Sequence, residues 1–233
     1  MESFCIINVS RNGDTANLKH STFEPKMDDY KKYFHRTIKT NFPCQADKLL
    51  LTIEDNFKII SADTSFAATS KNPLDRRLNF SAYFLSLIKS LDQQGESFDT
   101  IRKISLDVVT DYVKPKNKIQ QFIKRLPAKL TNTWLTNIFL KAFDKRVNLK
   151  FHTDGFVAKI ITDKNETYGL GYGFDILECG ICKLFKKHNY DKYASILCEV
   201  DEITSSLAGL KLVRNGTIAL GAKKCDFRFK KEN

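Results

Sequence analysis

The chain has 233 residues, 42% apolar and 12% aromatic, enough to bury a substantial core in one domain or two small ones, and it carries a formal charge of +11. Its apolar runs stop short of the roughly 18 residues a membrane-crossing helix needs, and the opening MESFCIINVSRNGD is acidic where a signal peptide is basic, so a soluble, cytoplasmic chain is expected. In that setting the six cysteines are expected to be free thiols, available for chemistry or for metal.

Residues 1–24 are polar and weakly patterned, and are set apart as a segment of undetermined structure. A mainly helical region is expected over residues 25–146. It opens with the amphipathic stretch DDYKKYFHRTIKTNF, and two apolar runs, LLLTI and FKIISA, fit strands and short helices equally well. Asn72 and Pro73 read as a cap and first-turn pair for LDRRLNFSAYFLSLIKSL, whose apolar residues recur at three and four until Gly95. Ser97 or Asp99 then caps IRKISLDVVTDYV, which stops before Pro115, and NKIQQFIKRL and LTNTWLTNIFLKAF lie either side of Pro127.

The positive charge is concentrated here. From Lys103 to Lys150 there are eleven Lys or Arg against three Asp. Charge of this kind invites a nucleic-acid reading. The stretch has no zinc-finger spacing, no RNP-type aromatic run and no phosphate loop, and its basic residues alternate with apolar ones at helical spacing. A solvated helix face is therefore favoured over a nucleic-acid site, and the field would also suit an anionic small molecule.

Over residues 147–233 the period changes. FHTDGFVAKIITD and ETYGLGYGFDILEC, separated by DKNE, read as a hairpin. CGICKLFKKHN and YDKYASILCEVDEITSSL return to helical spacing, and GLKLVRNGTIALGAKKCDFRF supplies two strands around an Asn215-Gly216 turn. GLGYGFD lacks the strand, turn and helix order of a dinucleotide site and marks a bulge or close backbone approach. The expected fold class is α+β, with the helical part packed on a C-terminal ββααββ unit. In CDFRF, period two places Cys225, Phe227 and Phe229 on one face and Asp226 and Arg228 on the other.

The run from GFDILECGICKLF to CDFRF resembles the L-2-amino-thiazoline-4-carboxylic acid hydrolase family. The matching positions are Cys179, Cys198 with Asp201, Arg214 and Thr217, and the final Cys225, Asp226, Phe227 and Arg228. Cys182, which makes a Cys-x-x-Cys with Cys179, departs from the family pattern. The resemblance implies hydrolytic opening of a cyclic amidine-like ring, with Cys179, Asp201, Cys198 and Cys225 as catalytic candidates and Arg214, Thr217 and Asp226 as substrate-binding candidates. Cys179 at a helix start is the preferred nucleophile, because the helix dipole and nearby amides favour its thiolate. No cofactor is required by this reading. An alternative assigns Cys179, Cys182, Cys198 and Cys225 as zinc ligands, with Asp201 able to replace one of them. The ββααββ order is also similar to vinyl-reductase-type small-molecule-binding domains, which bind ligands without turning them over. His152 and His188 are read as structural.

Overall fold

A computed structural model describes residues 30–121 and 134–231. The segment 1–24, the second half of NKIQQFIKRL, Pro127 and the start of LTNTWLTNIFLKAF lie outside the described residues.

Helices α1 (Lys31–Asn41), α2 (Ala46–Ala62), α3 (Arg77–Gln93), α4 (Phe98–Val113) and α5 (Trp134–Val147) come first. They are followed by β1 (Val157–Ile161), β2 (Gly173–Glu178), α6 (Gly180–Lys187), α7 (Ala194–Leu207), β3 (Leu210–Val213) and β4 (Cys225–Lys231). The chain is thus α+β, with an antiparallel sheet in the order β1-β2-β4-β3.

LLLTI and FKIISA form neither strands nor two short helices but the single helix α2. Its buried Leu49, Ile53, Asn56 and Ile60 recur at four, three and four, so the helical period prevails over the strand preference of the isoleucines. Helix α3 is central and buried on most sides. Its Ser86 and Ser90 hydroxyls donate to the carbonyls of Ala82 and Ser86, at 2.7 and 2.8 Å, which lets small polar residues sit in the core. Around it Tyr30, Phe34 and Tyr83 pack edge to face, the Phe34 and Tyr83 ring centres 4.8 Å apart. Gly95, at φ +83°, follows the end of α3, and the Ser97 hydroxyl caps α4 by accepting from Thr100 N at 3.2 Å.

Asn72 does not cap α3, which begins at Arg77. Instead its Oδ1 accepts from Leu74 N at 3.0 Å and its Nδ2 donates to the Phe156 carbonyl at 2.9 Å. Asp75 completes the clasp, accepting from Phe156 N at 2.8 Å and from the Ser70 hydroxyl at 2.5 Å. These buried side chains tie the entry to α3 to the residue before β1.

Two strand expectations also contract. Tyr168 (φ 51°), Gly169 (φ +81°) and Gly171 (φ +62°) make GLGY a turn, and β2 starts only at Gly173. A Cβ at Gly173 would lie 2.9 Å from the Phe227 carbonyl, which is the close approach its neighbours signal. β3 and β4 are not joined by a two-residue Asn-Gly turn. Residues 214–224 form a longer loop with a 3-10 turn at Ile218–Leu220, because the Asp226 carboxylate gathers Asn215 N and Gly216 N, each at 3.0 Å at its closest.

The buried apolar residues form two clusters. One fills α1 to α4 and the inner sides of α6 and α7; the other lies between the sheet, α5 and the start of α3. Ile181 touches both.

Candidate functional site

A pocket of about 310 Å³ opens where these two clusters meet. Its walls follow from element periods. From the sheet come Ile176, Cys225 and Phe227, the inward residues of β2 and β4. Helix α7 gives Leu197, Val200, Asp201 and Thr204, an i, i+3, i+4, i+7 stripe; α3 gives Arg77, Phe80 and Ser81; α4 gives Val109, Tyr112 and Val113. The start of α6 adds Cys179 and Cys182, and Cys198 completes the set of thiols.

Cys179 is the N-cap of α6, with extended backbone (φ −104°, ψ 109°), and its carbonyl accepts from Lys183 N at 3.1 Å. The glycine that follows is required: a Cβ at Gly180 would sit 2.9 Å from the Asp154 carbonyl, so the loop before β1 presses directly on the helix start. The Cys182 thiol, the amides of Cys182 and Ile181 and the charge of Arg77 lower the Cys179 thiol below its ordinary range, against the cost of burial. No side-chain capping hydrogen bond of ordinary geometry forms, so the amides act mainly as dipoles aimed at the sulfur. Cys182 moves the opposite way, its thiol held protonated by the hydrogen bond to Cys179 and by burial. Burial pushes Cys198 up to about 12 and Cys225 up to about 11. Cys179 is thus electrostatically distinct from the other three thiols.

Burial raises the Asp201 carboxyl, while Arg77 and Arg214 pull it back down. Arg77 Nη2 donates to Asp201 Oδ1 at 3.2 Å, and Arg214 Nη1 stands 3.6 Å from Oδ2. The two arginines differ in place. Arg77 lines the pocket with its side chain 47% exposed, whereas Arg214 is outside the lining, 10% exposed, its guanidinium over the Phe227 ring and donating to the Cys198 carbonyl at 3.1 Å.

The structure therefore brings Cys179, Cys198, Asp201 and Cys225 to one pocket and keeps Arg214, Thr217 and Asp226 behind its wall. Thr217 is buried beside Cys198, its hydroxyl without a hydrogen bond of normal geometry. Asp226 organises the 214–216 loop, and Cys225 Sγ accepts from Ile218 N at 3.2 Å. His188 bonds Asp63 at 3.0 Å and His152 stacks on Phe66, both away from the pocket. Among the described residues no three His, Cys, Asp or Glu side chains are placed to hold a metal ion, and no helix is long and apolar enough to cross a membrane.

The sequence model of the L-2-amino-thiazoline-4-carboxylic acid hydrolase family matches residues 76–229, about two thirds of the chain. The chain belongs to that family. No curated protein and no solved structure matches it. The family match runs from the start of α3 into β4, further back than the run that carries the resemblance, and it takes in every residue lining the pocket. Arg77, Phe80 and Tyr112 were missed as site residues in the sequence because their helices were read for charge and core. The available signal was an arginine one turn before a phenylalanine at the start of an apolar stripe.

Proposed function

We propose that this member of the hydrolase family opens a small cyclic amidine-like molecule at a carbon held between nitrogen and sulfur, as in conversion of 2-amino-thiazoline-4-carboxylate to N-carbamoyl-cysteine. The observation that carries the reading is Cys179, a thiol lowered at a helix start, in the same pocket as the raised carboxyl of Asp201.

The Cys179 thiolate adds to the ring carbon, and the bond from that carbon to the ring sulfur breaks. The electron pair leaves on that sulfur, which takes a proton from Asp201. Water then adds to the same carbon, giving one proton back to Asp201; the bond to Cys179 breaks to restore the thiolate, and the remaining hydroxyl proton moves to the former ring nitrogen to leave the carbamoyl group. A carboxyl raised toward neutrality suits both transfers. Cys198 and Cys225, whose thiols stay protonated, line the reacting end as weak donors.

Purified protein is incubated with L-2-amino-thiazoline-4-carboxylate and ring opening followed by mass spectrometry for wild type, Cys179→Ala and Asp201→Asn. Turnover lost in both folded variants supports the assignment, and full turnover by Cys179→Ala overturns it. Saturable binding without turnover by wild type replaces the hydrolase with a ligand-binding module.

A further inference from the structure

We infer that the natural ligand of this pocket is an anion bearing an apolar substituent, with the anionic group on Arg77 and the substituent against Phe80, Val109 and Tyr112. The inference rests on the proposed site being the substrate site and names the class of molecule it takes.

Among the described residues that line the pocket, Arg77 is the cation. Its guanidinium has five donors, of which one is engaged by a described side chain, Asp201, and its side chain is 47% exposed. Arg214 faces Asp201 from behind the wall and is nearly buried. A carboxylate on Arg77 therefore lies beside Asp201 and within the field of Arg77 that also acts on Cys179, so it keeps a bound ligand close to the reacting groups.

From that end the pocket runs along α3 and α4 into apolar walls. Phe80 is three residues beyond Arg77, about 4.5 Å further along the helix axis. It stacks on Tyr112 with ring centres 5.5 Å apart, and Val109 lies one turn before Tyr112. Two of the lining hydroxyls are committed as donors: Ser81 donates to the Arg77 carbonyl at 2.9 Å and Thr204 to the Val200 carbonyl at 3.0 Å. A polar substituent would lose water there and find few partners, whereas an aryl or branched alkyl group would gain apolar burial. The volume agrees. At about 310 Å³ the pocket falls at the lower end of the roughly 300–1,000 Å³ typical of drug-sized ligands, more than a five-membered ring with one carboxylate fills.

The test measures dissociation constants by calorimetry on Cys179→Ala, which holds substrates without consuming them, and kcat/KM on wild type. The probes are 2-amino-thiazoline-4-carboxylate, its 5-phenyl derivative and the 5-phenyl 4-carboxamide. The phenyl acid is expected to bind about tenfold or more tightly than the parent. It should also bind about tenfold more tightly than the amide, a preference that Arg77→Met abolishes. Tyr112→Ala, at a partly exposed position, is expected to shrink the phenyl to parent ratio, and Val113→Ser serves as a second variant of the same wall. Equal affinity for phenyl acid and parent overturns the inference, as does a phenyl advantage untouched by both wall variants or an acid preference untouched by Arg77→Met. Phenyl preference without turnover by wild type leaves the inference standing and removes the hydrolase. Turnover of the parent without phenyl preference does the reverse, and no binding by any probe overturns both.

Discussion

The helical cluster and the pocket beside it share helices α3, α4 and α7 but differ in the polar side chains they bury. Around Phe34, Ile53 and Tyr83 the interior is aliphatic and aromatic; Asn56 donates to Ser90 at 2.9 Å and Tyr83 to Glu54 at 2.6 Å, while the buried Ser105 hydroxyl makes no hydrogen bond among the described residues. At the pocket the same α3, and α7 beside it, bury an aspartate between two arginines and set it in one lining with four thiols. Burial there disfavours charge on Asp201, Cys198 and Cys225, whereas the amides, Cys182 and Arg77 favour it on Cys179. The first region is organised for stability, and the second holds titratable groups in states they would not adopt in water.

Substitutions should separate the two. Cys179→Ala is expected to lower turnover of a competent substrate by about 10³-fold or more. Its unfolding free energy in urea should change by less than about 1 kcal/mol, because the thiol sits at a cap and not in the core. A large loss of stability with little loss of rate would make the thiol structural. Phe34→Ala should do the opposite, costing about 3–5 kcal/mol through the cavity left among Tyr30, Phe80 and Tyr83, while the fraction still folded keeps its kcat/KM. Asp75→Ala joins the two effects. It leaves Phe156 N without its acceptor and should cost about 1–3 kcal/mol while raising KM, since the clasp fixes the start of α3.

Alkaline unfolding gives a subtler contrast. Cys198 and Cys225 have folded-state pKa values raised above the unfolded thiol, so the folded protein binds more protons than the unfolded chain once pH exceeds the unfolded value. Their contribution is complete below about pH 8.5 and is lost as pH rises through about 11 and 12. Denaturant melts at pH 7 and pH 10 should show the decline, and Cys198→Ala should flatten it. The smallest effect expected is on the pH-rate profile. The rising limb of kcat/KM should fall below the ordinary thiol range, and Arg77→Met should move it slightly upward, because Arg77 is the last of the influences that lower Cys179.

Much of this contrast could be read from the residues, and the gaps have physical causes. Period two in CDFRF puts Cys225 and Phe227 inward, and Cys198 and Asp201, three apart, share a helix face, but only the family resemblance grouped them with Cys179. Three things were hidden. β-branched residues disguised α2, whose period shows only when both apolar runs are taken as one. The 214–224 loop depends on Asp226 catching amides ten and eleven residues away, which no local turn rule anticipates. Which arginine faces the cavity depends on how α3 docks against α7, about 120 residues downstream, and spacing near Arg214 says nothing about it.

The clasp of Asn72 and Asp75 on Phe156 spans 84 and 81 positions, and Arg77 enters the pocket just after it. Contacts of α2 with α3 and of α3 with α4 close over short loops and form early, whereas this closure, like that of α1 on α4, carries the entropy of a long one. The pocket is therefore a late event in the life of a folding chain. After dilution from urea, helix content recovers first, and the ability to hold a ligand returns with the slower step that joins the two layers.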